Sequence, residues 1–152
     1  MTDLWWMAGA YYPLAVMSAL LPWVNGELIM LSAVPLVKTP LGLGALVVVV
    51  TAGQMTGKTV MFWMARKAKG PRAARLESLV ERWRVHLQRR PRAAVGVMLL
   101  SSVFGLPPFY LVSMAAGALG VAFGRFVAIG SLGRLIHFGT IAFVPHLAWS
   151  GL

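Results

Sequence analysis

Long apolar runs alternate along this chain with short polar or Pro/Gly-rich interruptions, and the run lengths predict its elements. Residues 4–20 form an apolar run long enough for a short or tilted membrane helix, or for a helix lying in the interface. Residues 21–40 are also apolar but are interrupted by Pro22, Asn25-Gly26-Glu27 and Pro35. They are too short and too broken for a full crossing, and they predict a first re-entrant hairpin. Residues 41–66 predict a long transmembrane helix. Residues 67–92 repeat Leu76, Leu79, Val80, Trp83 and Leu87 at helical spacing among basic residues, which predicts a cationic amphipathic helix on the membrane surface. Residues 93–118 are apolar around Gly105-Leu106-Pro107-Pro108 and predict a second re-entrant hairpin. Residues 121–149 predict a second long span.

The interruptions decide which runs cross. Pro107 and Pro108 donate no backbone hydrogen bond, and proline disfavours helix in the residue before it. A backbone group left unpaired in hydrocarbon costs several kcal/mol, so a break at membrane depth needs protein or water around it. Pro22, Gly26, Pro35, Gly105, Pro107 and Pro108 are therefore the expected turn residues of the two hairpins.

Composition sets the class. Of 152 residues, 59% are hydrophobic and 12% charged, about half the usual charged share of a soluble domain. The mean hydropathy is +0.75. A soluble core of this size could not bury that much apolar surface, so the chain is read as one all-α integral membrane domain. The first helix is expected to be retained: Asp3 precedes its apolar run, and the basic region of a signal peptide is missing. Trp5, Trp6, Tyr11 and Tyr12 have the amphipathic rings that favour membrane interfaces.

The formal charge of +10 would suggest nucleic acid in a soluble protein. Here ten of the fourteen Lys and Arg residues lie between 66 and 92. That bias predicts a cytoplasmic loop that holds anionic headgroups, with no nucleic-acid partner. With no Cys, the chain has no disulfide or thiolate metal site.

Two halves emerge. Gly57-Lys58-Thr-Val-Met-Phe62 in the first long span matches Gly133-Arg134-Leu-Ile-His-Phe138 in the second. Each half reads as a Pro-broken hairpin followed by a long helix. With the basic stretch cytoplasmic, the halves have inverted topology, a transporter design in which broken helices meet near the midplane.

Few residues carry candidate chemistry. Among the four acids, Glu27 alone lies inside an apolar segment, where a charge costs at least about 2.5 kcal/mol. It reads either as a titrating carboxylate in a polar cavity or as a shallow residue in headgroup water or at a helix cap. Arg134 and Lys58 are the matching intramembrane cations. The Arg134 guanidinium suits phosphate oxygens, or else pairs with Glu27 to tie the halves together. Thr51, Gln54 and Lys58 share one helical face, as do Gly130, Ser131, Arg134 and His137. His137 reads as a proton relay or as a packing residue, with no acidic neighbour in sequence. Glu27, Arg134, Lys58, Asn25, Ser102 and His137 make up the expected lipid-binding or transport set.

Enzymatic readings find little support. Ala52–Thr59 fits a permissive phosphate-loop pattern but lacks the preceding strand and an acid for Mg²⁺. Ser101 and Ser102 have no nucleophile elbow around them. No metal and no cofactor are expected.

The segment Gly53-Gln-Met-Thr-Gly57-Lys58-Thr-Val-Met-Phe62-Trp63-Met-Ala-Arg66 resembles the Gly-x-x-x-Gly-Asp-x-x-x-Tyr-Trp-x-Gly-Arg segment of the DedA family, in the VTT-domain (SNARE-associated Golgi protein) superfamily. Gly105–Phe109 with Ala116-Gly117 is similar to that family's second hairpin, and Phe126 with Gly133-Arg134 to the helix after it. Glu27 falls where the family has an acid. The resemblance implies two opposed re-entrant hairpins in a bacterial cytoplasmic membrane. It also implies flipping or scrambling of a phospholipid or polyprenyl phosphate, with a candidate link to protons. Lys58 replaces the family's Asp, and Ser101 and Pro107 stand at its Arg positions. The alternative is an assembly protein without a transported substrate, forming a homo-oligomer through Gly53/Gly57 and Gly120/Gly124.

Overall fold

The computed structural model describes residues 2–21, 23–37, 39–68 and 91–150. They form six α-helices and no strand: α1 (Thr2–Leu20), α2 (Gly26–Ala33), α3 (Pro40–Lys67), α4 (Pro91–Phe104), α5 (Phe109–Ala118) and α6 (Phe123–Ser150). The all-helical expectation holds for these residues. The surface helix expected over 67–92 lies, for residues 69–90, outside the described residues, as does the turn residue Pro22. Two compact units divide the chain, one of Met1–Gly57 with Arg134–Leu152 and one of Lys58–Gly133.

The first unit holds α1, α2, the beginning of α3 and the end of α6. On α1, Met7, Tyr11, Ala15, Ser18 and Ala19 are buried at helical spacing. Met7, Tyr11 and Ala15 pack in one core with Met30 and Ala33 of α2, Leu43, Leu46, Val47 and Val50 of α3, and Phe138 and Ala142 of α6. A Cβ on Gly53 would fall 2.6 Å from the Tyr12 carbonyl oxygen and 2.8 Å from Ala15 Cβ, and one on Gly57 2.5 Å from Ala19 Cβ. A Gly-xxx-Gly row on α3 thus meets an Ala-xxx-Ala row on α1, the small-residue contact that lets two helices approach in lipid. Beside it, Thr56 Oγ1 donates to the Ala52 carbonyl and accepts from the Tyr12 hydroxyl at 2.8 Å.

The break after α1 has its own chemistry. Asn25 is extended (φ −82°, ψ 113°), and its side-chain oxygen accepts from the Glu27 amide at 2.9 Å, capping α2. A 3₁₀ turn over Val34–Leu36, containing Pro35, follows α2. Thr39 Oγ1 then accepts from the Gly42 amide at 3.2 Å and starts α3, with Pro40 at the first helical position. Among the described residues of 21–40, helix α2 is followed by the 3₁₀ turn, and α2 packs against α1.

The second unit holds the end of α3, then α4, α5 and the beginning of α6. Helix α4 stops at Gly105 (φ +74°), whose amide donates to the Ser101 carbonyl at 2.9 Å. The Leu106–Pro107 bond is cis, and α5 starts after Pro108 and packs against α4. This break falls where the two prolines predict it. Helix α5 ends in a Schellman motif: the Val121 amide reaches the Ala116 carbonyl (3.0 Å) and that of Gly120 (φ +72°) reaches Gly117 (3.1 Å). Gly117 lies against the Phe62 backbone, and Gly133 against the Ser102 side chain. Phe62 stacks on Phe126 at 4.8 Å, and Phe126 on Phe109 at 6.2 Å.

Candidate functional site

The N-terminus of α2 gathers the polar side chains of the first unit. The Asn25 cap puts Glu27 in the first helical turn, where the exposed amides and the helix dipole favour a carboxylate. Helix α6 brings Arg134 and His137, one turn apart, to the same place. His137 Nε2 lies 3.2 Å from Glu27 Oε1, with the His137 side chain 12% and the Glu27 side chain 49% exposed. Glu27 also exerts its charge on Arg134, whose guanidinium carbon lies 5.8 Å from the centre of the Phe138 ring. The acidic neighbour that His137 lacks in sequence is thus supplied by the fold. Glu27 contacts His137, and Asn25, not Glu27, is the helix cap.

Two residues outside the expected set complete the cluster. Gln54 Nε2 donates to Ser18 Oγ at 2.5 Å, and Ser18 Oγ donates in turn to the Ala15 carbonyl at 2.9 Å. The Gln54 amide occupies the space that a side chain on Gly26 would need, so Gly26 lets the start of α2 close over it. The signal for Gln54 was present in its shared face with Thr51 and Lys58. Along that seam of α3, apolar Leu43, Leu46, Val47 and Val50 give way to Thr51, Gln54 and Lys58, each no more than 5% exposed. Thr51 Oγ1 has no hydrogen-bond partner among the described residues. Nothing in the sequence marks Ser18.

The other expected residues belong to the second unit. Lys58 is buried on α3. Ser102 is buried on α4 and donates to the Leu99 carbonyl at 2.9 Å, while Ser101 donates to the Pro107 carbonyl at 2.5 Å. Both hydroxyl protons are thus committed to backbone oxygens, Ser101 closing the proline turn. The phosphate-loop-like stretch 52–59 is continuous helix within α3.

A carboxylate beside an imidazole and a guanidinium can exchange a proton with the imidazole. It also balances the guanidinium until another anion competes for it. Two helices, Pro40–Lys67 and Phe123–Pro145, are long and apolar enough to cross a membrane. The model of the VTT domain family matches residues 9–147. The chain belongs to the VTT domain family. The resemblance carried by Gly53–Arg66 and Gly105–Phe109 is borne out, and membership together with the two apolar helices makes this a membrane protein. The VTT domain takes in every helix described above except the ends of α1 and α6. No curated protein and no solved structure matches the chain.

Proposed function

We propose that this VTT-domain protein carries lipid headgroups across the bilayer, flipping or scrambling a phospholipid or polyprenyl phosphate. The observation that carries the reading is the Glu27–His137 contact with Arg134 beside it, on apolar helices where such charges are costly. An arriving phosphate would compete with the Glu27 carboxylate for the Arg134 guanidinium, and the displaced carboxylate would take up a proton from a protonated His137 imidazole, leaving the imidazole neutral. The tails would stay in lipid while the headgroup follows the polar side chains of α3 and α6.

In this reading the helical pairs α1–α2 and α4–α5 are re-entrant hairpins of two inverted halves. The basic residues 66–92 face the cytoplasm and hold anionic headgroups, and the membrane is a bacterial cytoplasmic one. What supports it is the matching order of helix, break, short helix and long helix in each half. The assembly reading loses one of its two expected faces, because Gly53 and Gly57 are covered by α1 within the chain.

The test is headgroup translocation in liposomes reconstituted with the full chain. Glu27→Gln and Arg134→Ala are expected to abolish transport without unfolding the protein. Wild-type rates in both variants would refute the mechanism, and no translocation by the wild type across phospholipid and polyprenyl-phosphate substrates would refute the function.

A further inference from the structure

Five serine and threonine side chains are buried among the described residues, and four of their hydroxyls are committed to carbonyls. Ser18 donates to Ala15, Ser101 to Pro107, Ser102 to Leu99 and Ser113 to Phe109. Thr51 is the exception. It is 4% exposed, yet its Oγ1 meets no partner among the described residues, including the carbonyls one turn back in α3. The exposed Thr56 and Thr140 do make that local bond. A helical threonine divides between a rotamer that bonds its own backbone and one that does not, so the Thr51 hydroxyl is turned off α3 toward whatever covers it. A buried donor left unmet costs the fold its desolvation energy.

What covers Thr51 is the start of α2. Helix α2 runs back along α3: a Cβ on Gly26 would meet the Gln54 amide, and one on Gly42 would fall 2.7 Å from Val37 Cγ1. Val47, Thr51 and Gln54 share one face of α3, at spacings of 4 and 3. Val47 packs in one core with Met30, Ala33 and Phe138, and Gln54 lies against Gly26. The residue between them on that face is therefore level with the first turn of α2. That turn carries Glu27, whose carboxylate meets His137, the neighbour of Phe138 on α6.

We propose that Thr51 is a headgroup-specificity residue, its hydroxyl donating to a phosphate oxygen of the translocated lipid. The role rests on the translocation reading above and adds to it a neutral donor. The Arg134 guanidinium can take two phosphate oxygens in its fork, and a further oxygen then needs a donor that carries no charge of its own. Gln54 is already engaged with Ser18, which leaves Thr51 as the uncommitted donor beside it. The unmet hydroxyl of the empty site becomes a bonded one when the headgroup is present, so it favours the occupied state over the empty one.

Thr51→Val removes the hydroxyl at nearly the same volume. The full chain is reconstituted in phosphatidylcholine vesicles with a trace of fluorescent phosphatidylglycerol or of fluorescent polyprenyl phosphate. The probe that the wild type moves should cross about tenfold more slowly in Thr51→Val, the effect of losing one hydrogen bond to a charged group. The thermal midpoint of Thr51→Val in detergent should be unchanged or higher, because the donor it lacks was unmet. Thr51→Ser should recover most of the lost rate. A lowered midpoint would mean that the hydroxyl already bonds something in the empty site, a buried water included, and would overturn the proposal. So would wild-type transport in Thr51→Val, or no recovery in Thr51→Ser. If the wild type moves neither probe, the translocation reading falls and this role falls with it. Transport by the wild type that is insensitive to Thr51→Val removes the role and leaves that reading standing.

Discussion

Glu27 and His137 come from opposite ends of the sequence, yet the imidazole Nε2 sits 3.2 Å from the carboxylate Oε1. The contact joins the capped start of α2 to the middle of α6, and it gives the acid of an otherwise apolar stretch a polar partner.

The contact should register as an energetic coupling between its two residues. In a double-mutant cycle of Glu27→Gln and His137→Asn, monitored by thermal unfolding in detergent, a coupling on the order of 0.5–3 kcal/mol is expected for residues in contact. Coupling indistinguishable from zero would mean that the two side chains do not interact.

Glutamine at 54 should prove to be a support rather than a transport group. Ser18→Ala leaves the Gln54 amide with an unmet donor at a buried site and should cost about 1–3 kcal/mol of stability. Ser18→Ala with Gln54→Leu should recover part of that loss. Thermal melts of the three variants check this, and a double variant worse than the sum of the singles would contradict the pairing.

The α1–α3 seam predicts opposite signs for chemically identical changes. Gly53→Ala and Gly57→Ala push a methyl into the backbone or alanines of α1, and overpacking of this kind costs about 1–3 kcal/mol. Gly124→Ala on α6 meets nothing within 4 Å and should be neutral or stabilising by up to about 1 kcal/mol through helix propensity. Melting temperatures of the three single variants decide the matter.

Gly120→Ala should destabilise by about 1–2 kcal/mol, because a side chain at φ +72° crowds the following carbonyl. The loss should appear in the thermal midpoint while Gly44→Ala, with open space around it in α3, leaves that midpoint unchanged or higher.

What the sequence made legible follows from local chemistry. Gly105–Pro108 breaks the helix because two successive prolines lack amide donors, and that holds whatever packs around them. Gly53/Gly57 reads as a helix contact because only small residues permit one, although its partner, Ala15/Ala19, was not foreseen. The arms of the first helical pair were less legible. Pro22 and Pro35 both interrupt the same apolar stretch, and only packing shows that Met30 and Ala33 turn toward α1 and α3. His137 was the hardest to read, since its partner is an acid that no local pattern connects to it. Ser18 was hidden for a different reason: a serine in an apolar helix bonds its own backbone, and only the position of Gln54 gives it a second role.

The order of synthesis adds a constraint. The unit that carries Glu27 is discontinuous, made of residues up to Gly57 and from Arg134 onward, whereas Lys58–Gly133 is one uninterrupted piece of chain. At roughly 5–20 residues per second, the ribosome needs about 5–20 s to add the ~110 residues between Glu27 and His137. Throughout that interval the nascent chain holds Glu27 without the imidazole that meets it in the folded unit. The contact between Glu27 and His137 is therefore completed only after all of Lys58–Gly133 has been synthesised.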